Sequence, residues 1–227
     1  YYGGGAGGYG YQTTQLFRDV SAWYHVCVLW DDTQTVAGDR VKLYINGTQV
    51  TAFAAETDPN QNTLHTMNSA IKHFIGRIKA SVYTDCYMAQ VCFIDGTVYT
   101  ISDFGEFNED SPTIWQPIDV SELTFGDNGF LLDFADSADL GKDVSGKGND
   151  WTSNGLVAAD QATDSPTNNF CVINVLDNFY ADSTFSEGNC QAVTGTTSYT
   201  WNTGSIGVST GKWYWETELD TEPSPGN

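Results

Sequence analysis

An Asn-Gly pair between two alternating apolar segments constrains this chain more than any other feature. Apolar residues alternate along 41–45, directly before Asn46-Gly47, and the alternation resumes after the pair. Both central residues of a two-residue type I′ hairpin need positive φ, which Asn and Gly adopt most readily. In that register Ile45 faces Thr48, and the apolar residues of both arms fall on one face. The pattern predicts an antiparallel hairpin with one half-buried face.

Composition extends this prediction to the whole chain, which we expect to be all-β. The 227 residues include 23 glycines and are 14% aromatic and 40% hydrophobic, which is enough for a real core. Short β-prone runs separated by turn residues are typical of sandwiches, and no helix longer than a turn or two is expected. Strands are predicted at about 14–19, 22–30, 40–45, 48–53, 71–78, 83–94, 130–134, 170–175, 191–193, 198–201 and 212–219.

The acidic charge limits the partners that the chain can have. Twenty-nine Asp and Glu residues against nine Lys and Arg give a formal net charge of −20. Nucleic-acid binding needs a basic footprint, and a bare anionic membrane would also repel this surface unless divalent cations bridged it. The acidity keeps the protein soluble on the simplest interpretation; adaptation to salty water or a Ca²⁺-holding surface is the alternative.

Cysteine usage favours folding in a reducing compartment. The five cysteines are an odd number and no pair has CxxC spacing, so neither a metal motif nor a disulfide framework is predicted. Inside strands, a free cysteine packs as a small hydrophobic residue. No signal peptide and no apolar run of about 20 residues is visible, so no membrane insertion is expected.

Several segments, in order, carry a resemblance to known β-sandwich families. WYHVCV at 23–28 and DRVKLYING at 39–47 resemble the laminin-G-like, concanavalin A-type jelly roll, and residues 83–105 resemble the end of that domain. Followed by 129–152 and 163–170, which also resemble the opening of a second laminin-G-like unit, this variant is similar to lectin-like modules of phage tail-fibre and virion structural proteins. STGKWYWETEL at 209–219 resembles an early strand of a SPRY (B30.2) domain, another concanavalin A-like sandwich.

The resemblance implies a domain plan. A laminin-G-like β-sandwich lacking its first strands spans 1–104. The acids and two prolines of 105–128 predict a linker or surface crossing there. A turn-rich crossing with one short strand spans 129–169, and a partial SPRY-like β-sandwich begins in 170–227. On this plan the chain is expected to be an interior piece of a longer polypeptide.

The resemblance also implies a function and a setting. It predicts a non-enzymatic virion or tail-fibre surface module that binds host-surface glycan, folded in the host cytoplasm. The implied partners are host-surface glycan and other virion or fibre subunits, with homo-oligomerisation within a fibre. Two alternatives stay open: a laminarinase-type glycoside hydrolase and a purely structural fibre or decoration module.

Three aromatic residues in loop-like stretches are candidates for binding glycan: Trp115, Trp151 and Tyr180. Sugars stack their aliphatic faces on exposed rings while Asp and Asn orient the hydroxyls. The alternative is that these rings plug the ends of a sandwich. The tryptophans of predicted strands, including Trp213 and Trp215, are expected to pack in the core or between sheets.

An acid-rich loop offers the one candidate metal site. Asp136, Asp139, Asp143 and Asn149 could hold a Ca²⁺ ion through oxygen ligands, although Val144 stands where an EF-hand requires glycine. Asx-turns that hold a Gly-rich crossing explain the same residues. No other cofactor is predicted.

A carboxylate triplet offers the one candidate catalytic group. Glu218, Asp220 and Glu222 have the E-x-D-x-E form that laminarinase-type glucanases use, and on a strand they would share one face. Pro223 and Pro225 follow at once and argue against a central catalytic strand. The interpretation favoured here is that the triplet is not catalytic.

Overall fold

A computed structural model describes residues 10–19, 22–63, 66–79, 82–195 and 199–220, with the side chains of 78 and 79 left out of the description. The prediction of an all-β chain is confirmed, because the described residues form antiparallel strands with almost no helix. The short 3₁₀ helices are Ala37–Asp39, Ile101–Asp103 and Ala158–Asp160. Among the described residues none of the helices could span a bilayer.

The chain divides into two units by internal contacts. Described residues up to Ala158, together with Ser165–Thr167, form the first unit; Ala159–Asp164 and the residues from Asn168 onward form the second. The first unit contains β1 (Gly10–Thr13), β2 (Val26–Trp30), β3 (Val41–Ile45), β4 (Thr48–Gln49), β5 (Phe53–Thr57), β6 (Arg77–Lys79), β7 (Val82–Tyr83), β8 (Val91–Phe93), β9 (Gly105–Phe107), β10 (Trp115–Pro117) and β11 (Phe130–Leu132). The second contains β12 (Ile173–Phe179), β13 (Thr184–Ser186), β14 (Gln191–Val193) and β15 (Trp201–Gly204).

The strands pair in small antiparallel sheets. In the first unit β2, β3 and β4 form a three-stranded sheet, and the other pairs are β1–β5, β6–β7, β8–β11 and β9–β10. In the second unit β12 pairs with β15 and β13 with β14. Several of these pairs join strands that are distant in sequence, so long-range contacts determine much of the fold.

The hairpin predicted at Asn46-Gly47 is confirmed. Asn46 has φ +48° and Gly47 has φ +75°, as a type I′ turn requires. Ile45 lies opposite Thr48, and the Val50 amide donates to the Leu43 carbonyl at 2.8 Å. The register therefore agrees with the one that the apolar pattern predicts.

The core of the first unit lies where β8 and β11 meet the chain before β11. Val120 and Phe125 are each 1% exposed and pack with Leu131 of β11. The partly buried side chains around them are Cys92, Ile94, Phe104 and Leu123. Residues 105–128, for which the sequence predicts a linker, thus supply Val120 and Phe125 to the core. The same residues also contain strands β9 and β10.

Several predicted strands differ from the structure. No strand is assigned in 14–19 or in 212–219, and the predicted strand 83–94 is reduced to its first residue and to Val91–Phe93. Residues 212–219 are β-prone in sequence but find no partner strand among the described residues, and β-propensity without pairing does not make a strand. The predicted strand 198–201 begins outside the described residues, which contain its last member in β15.

Candidate functional site

Trp115 packs against the hairpin turn. Its indole ring lies so close to Gly47 and Gly105 that a Cβ on either glycine would overlap it. The indole Nε1 donates a hydrogen bond of 3.1 Å to Nδ1 of His25, and Phe107 packs edge-on at 5.1 Å between ring centroids. Trp115 is therefore half-buried and joins β10 to the β2–β3–β4 sheet. This packing leaves little of the ring face free to stack against a sugar.

His25 must be neutral to accept this bond. Burial lowers the pKa of His25 below its usual value. The His25 backbone is bound on both sides by Asn46, whose Oδ1 accepts from the His25 amide at 2.8 Å and whose amide donates to the His25 carbonyl at 2.9 Å. These two bonds hold the His25 backbone in place, so its imidazole ring is positioned to accept the hydrogen bond from Trp115.

Trp151 and Tyr180 have different environments. The Trp151 ring packs edge-on against Phe130 at 5.0 Å, and its amide donates to the Gly141 carbonyl at 2.7 Å. Tyr180, in the second unit, is 73% exposed and has φ +80°. Of the three candidate rings, Tyr180 alone offers most of its surface to solvent.

Asp143 organises the acid-rich loop through backbone hydrogen bonds. Its Oδ1 accepts from the amides of Leu131 and Ser145, each at 2.9 Å, and its Oδ2 accepts from the Asn149 amide at 2.8 Å. The side chain is 8% exposed. Desolvation acts to raise the pKa of Asp143, but these hydrogen bonds outweigh it and hold the pKa below the usual value.

The other candidate metal ligands also have protein partners. Asp136 Oδ2 pairs with Lys142 Nζ at 2.9 Å, and Asp139 Oδ1 accepts from the Gly141 amide at 3.2 Å. The Asn149 side-chain amide donates to the carbonyls of Asp127 and Gly129. Within the described part of the chain, no group of three or more His, Cys, Asp or Glu side chains is placed to hold a metal ion. The predicted ligands thus each make hydrogen bonds within the protein: Asp136 and Asp139 inside the loop, and Asn149 to the chain before β11.

The acids of the E-x-D-x-E triplet lie on a segment without strand pairing. Glu218 is exposed, and Asp220 Oδ2 accepts from Gln191 Nε2 at 3.2 Å. Glu222 lies outside the described residues. Without a strand, alternation does not place Glu218 and Asp220 on one sheet face. Trp213 and Trp215, expected in a core, are exposed on the same segment.

The second unit presents an aromatic pair that the sequence interpretation did not single out. Phe179 of β12 lies directly opposite Trp201 of β15, and the two side chains are 66% and 67% exposed. Tyr180 follows Phe179 at a centroid distance of 6.1 Å. Three large rings are therefore exposed at one end of the β12–β15 ribbon.

Polar side chains lie beside the pair of rings. Thr203 lies two residues from Trp201 along β15, and Asp177 lies two residues from Phe179 along β12. The pairing of the two strands is irregular between Ile173 and Asn178, but Thr203 Oγ1 donates to Asp177 Oδ2 at 2.8 Å, so these two side chains meet across the strands. Both residues are exposed. We call Asp177, Phe179, Trp201 and Thr203 the aromatic ribbon face.

The opposite face of the ribbon is held by amides. Asn178 lies opposite Asn202, and with its amide turned to satisfy its neighbours it donates to Asn202 Oδ1 at 3.1 Å and accepts from the Ser183 amide at 2.9 Å. Asn202 Nδ2 also donates to Ser183 Oγ at 3.2 Å. These hydrogen bonds connect β12 and β15 on the face opposite Phe179 and Trp201. The two strands that carry the exposed rings are therefore held together.

The alternation in DNF (177–179) and WNT (201–203) was the available signal for this face. Both runs place an aromatic and a polar residue on one side and an asparagine on the other. The pairing of the two runs is long-range and cannot be derived from either segment.

No family model, curated protein or solved structure matches the chain.

Proposed function

We propose that this chain is a non-enzymatic surface module that binds a neutral glycan through the aromatic ribbon face. The observation that supports this most is the cross-strand pair of exposed rings, Phe179 and Trp201, beside the Asp177–Thr203 hydrogen bond. Exposed rings take the aliphatic face of a sugar, and a carboxylate beside a hydroxyl orients sugar hydroxyl groups. The net charge of −20 favours an uncharged ligand over an anionic one.

The biological setting proposed is a virion or tail-fibre surface, with the glycan supplied by the host. This part rests on the resemblance of the 23–47, 83–105 and 209–219 segments to concanavalin A-like modules of such proteins. The same resemblance supports a laminin-G-like jelly roll followed by a SPRY-like sandwich as the finer fold. Repetition of the module in a fibre would compensate for weak binding by each copy.

Isothermal titration of the whole chain with a panel of neutral polysaccharides tests binding. We expect Phe179→Ala and Trp201→Ala each to weaken binding by about tenfold, because each removes a stacking surface. Trp215→Ala is the matched control: it removes an exposed tryptophan outside the β12–β15 ribbon and should leave the affinity unchanged. The proposal is wrong if no neutral polysaccharide binds, or if both ribbon variants bind as wild type does.

The proposed absence of catalysis has its own test. Retaining hydrolysis requires two carboxyl groups that flank one glycosidic bond. Glu218 and Asp220 lie on an exposed segment that pairs with no strand among the described residues. Incubation with β-glucans and mannans should release no reducing ends. Hydrolysis that disappears in Glu218→Gln would establish the laminarinase-type alternative.

A further inference from the structure

One segment of this acidic chain carries positive charge and no negative charge. Residues 59–84 contain Lys72, Arg77 and Lys79, three of the nine Lys and Arg residues, and no Asp or Glu. Such local charge of opposite sign to the whole molecule favours a negatively charged partner surface at short range, since salt screens the distant acids over about 8 Å.

The described part of this segment holds its cations over aromatic rings. Arg77 of β6 lies opposite Tyr83 of β7. Its guanidinium carbon is 4.3 Å from the centre of the Phe74 ring and 5.8 Å from that of Tyr83. Lys72 Nζ lies 5.7 Å from the Phe74 ring centre. We call Lys72, Phe74, Arg77 and Tyr83 the cationic patch.

Apolar side chains surround the cationic patch in sequence. Ile71 and Val82 are exposed, as are Phe74 and Tyr83 within the patch. Arginine and aromatic residues are enriched at the centres of protein interfaces. Exposed aliphatic side chains beside them favour a protein partner that also supplies apolar contacts.

The first unit also carries a surface of matching character. The β9–β10 hairpin exposes Glu109 and Asp110 in its loop, beside the exposed apolar residues Phe107 and Ile114. We call these four residues the acidic patch.

Hydrogen bonds give the acidic patch a defined shape. The side-chain Oδ1 of Asn108 accepts from the backbone amides of Asp110 and Ser111. The backbone amide of Asn108 donates to the Ile114 carbonyl at 2.8 Å.

We propose that the cationic patch of one copy binds the acidic patch of a second copy. The two patches are complementary in charge, both combine that charge with exposed apolar side chains, and identical chains supply them in equal number. If each copy uses its two patches on two different neighbours, the contact repeats into a linear array. If two copies each use both patches on the other, the contact closes in a dimer. This assembly does not depend on glycan binding by the second unit.

Sedimentation velocity of the whole chain over a dilution series measures the assembly. We expect reversible association that weakens as NaCl rises from about 150 mM, where repulsion between the distant acids is already screened, to about 1 M, where the charges of the contact are screened as well. A chain that stays monomeric at every concentration and salt overturns the proposal. Salt-independent association overturns it as well, because the contact would then not be electrostatic.

Charge reversal tests which surfaces meet. Lys72→Glu with Arg77→Glu, and separately Glu109→Lys with Asp110→Lys, should each raise the dissociation constant at least about tenfold. Lys147→Glu with Lys212→Glu is the control for the first pair, since it makes the same charge change at exposed sites outside the patch and should associate as wild type does. The second pair lowers the net negative charge, so its loss of association could not come from general repulsion.

Mixing the two reversed proteins gives the decisive result. The reversed cationic patch of one matches the reversed acidic patch of the other, so the mixture should associate although each protein alone is monomeric. A mixture that stays monomeric overturns the proposal. So does a wild-type chain that does not self-associate but binds a sulfated polysaccharide through Lys72 and Arg77. Thermal unfolding checks that each variant is folded; Lys72→Glu alone, at an exposed position that keeps the Arg77 stack, replaces the double variant if that fails to fold.

Discussion

At the scale of single residues, one buried carboxylate shows how this chain uses its acids. Asp143 accepts hydrogen bonds from three backbone amides and joins β11 to the loop at 145–149. The Asp143 carboxylate, whose place in the spacing of acids suggests a cation site, thus makes hydrogen bonds to the backbone. Sequence spacing alone could not separate the two interpretations, because calcium loops and Asx-turns both use Asp and Asn.

Asp143→Asn should destabilise the protein by about 1–3 kcal/mol, because an NH₂ group would then face a backbone N–H. Asp139→Asn, at an exposed position in the same loop, should change the free energy of unfolding by less than about 0.5 kcal/mol. Urea denaturation measures both values. Equal effects would show that the buried hydrogen bonds of Asp143 are unimportant.

The same carboxylate predicts a pH dependence. The pKa of Asp143 is lower in the folded state, so its stabilising effect is full above the unfolded value of about 3.9 and is lost as the pH falls through the folded pKa. The stability difference between wild type and Asp143→Asn should therefore shrink on acidification below about pH 4. A difference that stays constant down to pH 2 would contradict this assignment.

His25 predicts a second pH effect in a different range. Folding lowers the pKa of His25, so its contribution is complete above the unfolded pKa of about 6.5 and decreases as the pH falls below it. Protonation would also turn Nδ1 from the acceptor of the Trp115 bond into a donor. Between about pH 7.5 and 5.5 wild type should lose more stability than His25→Phe. The exposed His73→Gln is the control and should follow wild type; a His25→Phe curve parallel to wild type would contradict the assignment.

At the scale of elements, the sequence predicted local structure better than pairing. The Asn46-Gly47 hairpin was predictable because its turn chemistry and apolar alternation agree within ten residues. The pairs β8–β11 and β12–β15 join strands that are distant in sequence, and no local pattern identifies the partner. For the same reason the aromatic ribbon face could not be predicted, although the adjacent Tyr180 was named. The segment 212–219 shows the converse, since its β-prone residues have no described partner strand.

Gly47→Val tests the turn and its contact with β10 together. A β-branched residue at φ +75° costs on the order of 1–3 kcal/mol, and its Cβ would also overlap the Trp115 ring. Gly146→Val is a control for the backbone term alone, because Gly146 has φ +80° and open space around it. Thermal unfolding should show the larger loss for Gly47→Val. Equal losses would mean that the Trp115 contact adds nothing.

At the scale of the whole molecule, composition alone predicted an all-β chain without basic character, and the structure adds a division of surfaces. The first unit contains the apolar core and two patches of opposite charge, whereas the second unit contains the exposed aromatic ribbon face. We therefore expect self-association and glycan binding to be separable by mutation. Net charge could not predict this division, because it averages over patches of both signs.

Indole resonances in a ¹⁵N–¹H spectrum test the central claim most directly, because each of the seven tryptophans reports on its own site. Single substitutions assign the signals of Trp115, Trp151 and Trp201. On addition of a neutral polysaccharide that binds the chain, we predict that the Trp201 signal shifts, that the Trp115 and Trp151 signals do not, and that Phe179→Ala abolishes the shift. A saturating ligand that moves the Trp115 or Trp151 signal and leaves Trp201 unchanged would contradict the account.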